Sequence, residues 1–145
     1  SCVRVARLFG FDPKVAFLSH STFGKPISKN TRHVRDAIQK LKKEKVDFDF
    51  DGEMQPDVAL NPIYQEIYPF SKIVGNANIL IMPALHSAAI STKLMKVFGG
   101  GKLIGPLLIG LCLPIEVAPL RASTSEILNL ASIASYSSGI IDYSN

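Results

Sequence analysis

Apolar positions along this chain fall into two rhythms, and the rhythm changes at the turn residues. Val15-Ala16-Phe17-Leu18-Ser19 is a short apolar run after Asp12-Pro13, which predicts a buried strand. Asn30-Thr31 then opens a helix to about Lys43, with Val34, Ala37, Ile38 and Leu41 on one face at helical spacing. Val46 to Asp51 alternates with period two, the pattern of an edge strand whose aspartates 47, 49 and 51 face water. Asp57 to about Tyr68 predicts short helical pieces interrupted near Pro62, and Ile79 to Met82 a second buried strand. Ser87 to Phe98 predicts a helix stopped by Gly99-Gly100-Gly101. Leu103 to Leu111 predicts a third apolar strand, split by Gly105-Pro106. The last helix, Ser123 to Tyr136, is expected to begin with a cap at Ser123 or Thr124 and an acid at Glu126.

Strands that read as unbroken apolar runs, alternating with helices, predict an α/β domain with a mostly parallel sheet covered on both faces, three layers in all. A length of 145 residues fits one domain spanning 1–145. Hydrophobic content of 47% against 19% charged is that of a globular chain and excludes an intrinsically disordered one. The net charge of +4 is spread without aromatic interleaving and gives no reason to expect nucleic acid. The apolar stretch Leu103 to Pro119 is broken by glycines, prolines and Glu116, whereas a membrane span needs roughly 20 continuous apolar residues. Cys2 and Cys112 have no metal-type spacing, and no charged-then-apolar leader opens the chain at Ser1, so the expectation is reduced thiols in the cytoplasm.

Candidate motifs separate on their chemistry. Asp47-x-Asp49-x-Asp51-Gly52 begins like a calcium loop, but Val58 stands where the chelating glutamate belongs. Gly99-Gly100-Gly101-Lys102 lacks the hydroxyl after the lysine that a phosphate loop needs, and lies between helix and strand in the wrong order. His20, His33 and His86 have no partner at ligand spacing, so no metal site is expected. Ser19-x-Ser21-Thr22-Phe23-Gly24 is different: it is a small polar loop at the carboxyl end of a predicted parallel strand, where open α/β sheets bind ligands. Its hydroxyls and N–H groups suit a phosphate or a thioester carbonyl, and a plain turn into the next helix accounts for it equally well.

Taken in order, Val15 to Gly24, Asp51-Gly52-Glu53-Met54-Gln55-Pro56-Asp57-Val58-Ala59, Ala77-Asn78-Ile79-Leu80-Ile81-Met82-Pro83 and Ile104-Gly105-Pro106-Leu107-Leu108 resemble the C-terminal half of the phosphate acetyl/butyryltransferase family. The resemblance implies an isocitrate/isopropylmalate dehydrogenase-like fold and an acyl-CoA ligand. It also locates the departures. Ala84 stands where active members have an aspartate, Ala89 where they have an asparagine, and Ile109 where they have a polar residue. Their catalytic serine and arginine align with Pro119 and Leu120, and their catalytic aspartate with Glu126. If the chain is active, Arg121 and Glu126 are the expected catalytic pair. On the same resemblance Ser19, Ser21, Thr22, Lys93, Gly105 and Pro106 are expected to line the acyl-CoA site.

Such erosion is similar to the branch of the family fused behind bacterial NADP-dependent malic enzymes. Membership there implies a degenerate domain that binds acetyl-CoA as a regulator, an upstream malic enzyme part holding NADP and a divalent metal, and a homodimer. An active acyltransferase and a ligand-free scaffold are the competing readings.

Overall fold

The computed structural model describes residues 1–138. The chain falls into two compact units, Cys2–Lys93 and the segment from Leu94 onward, which includes Ser1. The first holds a three-stranded parallel sheet in the order β2-β1-β3, built from β1 (Lys14–Leu18), β2 (Asp49–Met54) and β3 (Ile79–Ile81). Helix α1 (Cys2–Leu8), which the apolar pattern did not single out, precedes β1; α2 (Arg32–Lys43) and α3 (Pro56–Leu60) follow the first two strands.

Strand alternation sends β1 into two cores. Val15 joins Val34 and Ile38 of α2 and Phe50 of β2, with Val3 of α1 and Phe17 at the margin. Ala16 and Leu18 face the other way, into Met54, Ala59 of α3, Ile73 and Ala77. Both faces of the sheet are thus covered, as the continuous apolar runs predicted. Each fully buried Val, Leu, Ile or Met here contributes roughly 1.5–3 kcal/mol of transfer free energy. Polar side chains close the ends of the sheet. Asn78 accepts the Lys14 N–H at 2.8 Å and donates to the Asp12 carbonyl at 2.7 Å, tying the start of β3 to the start of β1. Arg7 reaches Asp47 at 3.0 Å and holds its carboxyl below the ordinary value, chiefly by that side-chain hydrogen bond.

Two expectations change in β2. The strand runs Asp49–Met54 rather than from Val46, and Asp51 is buried instead of wet. Its two oxygens accept the N–H groups of Gly52 (2.9 Å) and Lys72 (2.8 Å), so the carboxylate anchors the chain that returns toward β3. Gly52 is required by space: a Cβ there would lie 2.6 Å from the Phe17 carbonyl oxygen, and its φ of +141° disfavours any other residue.

Helix α4 (Leu85–Phe98) ends as predicted, with the Gly99 N–H on the Met95 carbonyl at 2.8 Å and Gly100 at φ +61°. The predicted strand over Leu103–Leu111 is absent. Gly105 (φ +117°) and Gly110 (φ +85°) turn the backbone out of extended geometry, and Pro106 has no N–H to give a ladder. Leu103, Ile104, Leu108, Ile109 and Leu111 are all exposed. Helix α5 (Thr124–Ser138) closes the described chain. Among the described residues no helix is long and apolar enough to cross a membrane. Cys2 and Cys112 are exposed free thiols.

Candidate functional site

The polar loop Ser19–Gly24 sits at the carboxyl end of β1, between its two parallel neighbours, as expected for a ligand site in such a sheet. Its groups are nevertheless largely committed to the protein. Ser19, Ser21 and Thr22 are buried. The Ser19 N–H donates to the Met54 carbonyl (2.9 Å), and Thr22 and Lys25 exchange main-chain hydrogen bonds. The Ser21 hydroxyl donates to Glu53 Oε1 (3.0 Å), and the Thr22 hydroxyl accepts the Gln55 N–H (3.2 Å). Gln55 Nε2 also donates to the His20 carbonyl at 2.8 Å. Sequence reasoning treated Glu53 and Gln55 as parts of a motif only. The structure makes them the two side chains on which the loop is folded. The position of Glu53 directly after Gly52 was the available signal, because a glycine inside a strand often marks a bulge or a close approach of two backbones.

Beside the loop, Phe23 packs on Phe70 (ring centroids 4.8 Å apart) and Tyr68 (5.4 Å). Lys93 lies exposed on α4.

A second group of sequence candidates gathers within the segment from Leu94. Gly105, Pro119 and Glu126 line one cavity with Leu103, Ile104, Asn129 and Leu130. Its volume is about 20 Å³, room for about one water molecule. Pro106 and Arg121 are exposed and do not line it, and Leu120 is fully exposed. Glu126 is occupied by a capping box. Its Oε2 accepts the Ser123 N–H (2.7 Å) and hydroxyl (2.9 Å), while the Ser123 hydroxyl accepts the Glu126 N–H (3.3 Å). These bonds, the Ser123 N–H first, hold the Glu126 carboxyl below its ordinary value. Among the described residues no three His, Cys, Asp or Glu side chains come together as a metal-binding group.

The sequence model of the phosphate acetyl/butaryl transferase family matches residues 1–135. The chain belongs to that family. It is 47% identical over 135 residues to the NADP-dependent malic enzyme of Rhizobium meliloti, covering 93% of this chain and 18% of that protein. It is 38% identical over 135 residues to the phosphate acetyltransferase of Staphylococcus epidermidis, covering 88% of this chain and 41% of that protein. The solved phosphotransacetylase of Streptococcus pyogenes superposes with a TM-score of 0.88 at 33% identity, over 95% of this chain and 42% of that one. The chain therefore spans about a fifth of its malic enzyme relative and about two fifths of the acyltransferases.

Within this family member the shared motifs have architectural work. Asp51, Gly52 and Glu53 anchor the sheet and the loop, and Ala77-Asn78 joins β3 to the rest, its Ala77 N–H on the Ala59 carbonyl at 2.8 Å.

Proposed function

We propose that this chain is the phosphotransacetylase-like part of an NADP-dependent malic enzyme, and that it has lost acyl transfer while retaining acetyl-CoA as a regulatory ligand. The observation that carries the reading is the state of the stretch 119–126. Where the family resemblance calls for serine and arginine there are Pro119 and Leu120, and the one acid in register, Glu126, is bonded to its own cap. Deprotonating a CoA thiol, whose pKa is near the ordinary thiol value of about 8.5, needs a base poised close to neutrality. A carboxylate held below its usual range by two Ser123 donors is displaced in the wrong direction. Each missing preorganised donor typically costs about 10²–10³ in rate. The higher identity to the malic enzyme than to the acyltransferase supports the same branch.

In this reading Ser19, Ser21, Thr22 and Lys93 contribute to an acetyl-CoA site whose remaining walls lie in the longer parent. The cavity inside the Leu94 segment is too small for that ligand by itself. NADP and the divalent metal belong to the parent's malate-oxidising part, and the protein works in the cytoplasm as a homodimer. Regulation requires acetyl-CoA to bind two states of the enzyme with different affinity, typically by ~1–3 kcal/mol.

One observation favours an active acyltransferase instead: Glu126 and Gly105 line the same cavity. Arg121 would then supply the positive charge. Incubating the full-length protein with acetyl phosphate and CoA decides between them. Absence of thioester formation at high enzyme concentration, with acetyl-CoA raising the melting temperature, is the expected result. Clear turnover would overturn it.

A further inference from the structure

The β1–β2 ladder slips at one place: Phe17 pairs with Gly52 and Leu18 with Met54, so Glu53 has no partner across the strand. Its side chain is directed beneath the loop and is 1% exposed. Oε1 accepts the Ser21 hydroxyl at 3.0 Å and the Gly24 N–H at 2.9 Å, and the Glu53 main-chain carbonyl accepts the Phe23 N–H at 2.7 Å. The Arg35 guanidinium of α2 stands 3.8 Å from the same carboxylate oxygen and donates to the Ser28 carbonyl at 2.9 Å. A carboxylate so buried is costly unless it is both paired and hydrogen-bonded, and here it is both. The loop needs this hold. Phe23 sits at φ +48°, a left-handed conformation that a bulky residue keeps only when its surroundings impose it.

We infer that Glu53, with Arg35 as its counter-charge, is a positioning residue for the acyl-CoA loop: it touches no ligand and sets the conformation of Ser21–Gly24 in which the ligand is met. This rests on the reading of Ser19–Gly24 as part of the acetyl-CoA site. Loss of the Glu53 charge leaves Arg35 unpaired and the loop held by weaker neutral bonds. Loss of Arg35 leaves the carboxylate buried without its counter-charge. Both changes loosen the same residues, while the sheet cores around Ala16 and Ile38 keep their contacts.

The test uses Glu53→Gln, Arg35→Met and Arg35→Lys in the full-length protein, with two readouts. Amide hydrogen exchange without ligand should accelerate about tenfold or more at Phe23 and Gly24 in the first two variants, with β1 and α2 amides unchanged. Acetyl-CoA affinity by calorimetry should weaken by a similar factor, and Arg35→Lys should recover most of both. Should Glu53→Gln not accumulate as folded protein, Arg35→Met and Arg35→Lys carry the same test. Unchanged loop exchange overturns the inference, and so does exchange raised equally across the whole unit. Affinity left intact by a loosened loop also overturns it. If the wild type binds no acetyl-CoA, the ligand reading falls, and loop exchange still decides whether Glu53 positions the loop.

Discussion

Unit Cys2–Lys93 and the segment from Leu94 both carry runs of Val, Ile and Leu, and they bury them to different extents. In the first, β1 alternates between two cores, and Val15, Ala16, Leu18, Ile38 and Met54 are nearly or wholly buried. In the second, Leu130 is the one buried hydrophobic among the described residues, while Ile104, Leu108, Leu120 and Leu128 are exposed. Hydrophobicity stabilises only where a second surface is present to exclude water. A parallel sheet supplies such surfaces within ninety residues of chain. A Gly-Pro-broken stretch and one helix do not. The polar chemistry follows the same division: buried acids such as Asp51 and Glu53 are structural fixtures in the first unit, and Glu126 is an exposed-side cap in the second.

Substitutions in the full-length protein can break or sharpen that contrast. Gly52→Ala should be the most damaging, because the new Cβ meets the Phe17 carbonyl at 2.6 Å. A loss of roughly 3 kcal/mol or more, or failure to accumulate folded protein, is expected in denaturation experiments. Ile38→Ala removes a side chain that is 2% exposed between α2 and the sheet and should cost about 2–5 kcal/mol. Leu120→Ala, with nothing in this chain covering the side chain, should stay within about 0.5 kcal/mol when the same measurement is made on residues 1–145. Equal losses at positions 38 and 120 would sink the contrast. Asp51→Asn sets an amide N–H₂ against one of two main-chain donors, Gly52 or Lys72, and should cost about 1–3 kcal/mol.

Ser123→Ala removes the α5 cap and should cost about 1 kcal/mol, read as faster amide exchange in the first turn of that helix. The pH effect is smaller still. The Glu126 carboxyl is depressed in the folded chain, so its contribution is present above the ordinary value of 4.5 and disappears as pH falls through the folded value. Melting temperatures of wild type and Glu126→Gln should therefore converge on acidification. Divergence would mean that Glu126 has another partner.

Element types were readable wherever a residue's own neighbours along the chain set the outcome. The α2 face of Val34 and Ile38, the glycine stop after Phe98 and the Ser123–Glu126 capping box all depend on interactions within about four residues. The β1 and β3 strands were readable for a related reason, since strands covered on both faces must be apolar throughout. Three outcomes required contacts that local pattern does not encode. Asp51 shares its alternation with Asp47 and Asp49, and only the return of Lys72 across it makes it a buried anchor. Leu103–Leu111 has strand composition, but a strand exists only with a ladder partner, and positive φ at Gly105 and Gly110 removes the geometry for one. The loop Ser19–Gly24 was recognisable as polar and well placed. That its hydroxyls point inward to Glu53 and Gln55 follows from a one-residue slip between β1 and β2, a register that forms only when the two strands meet.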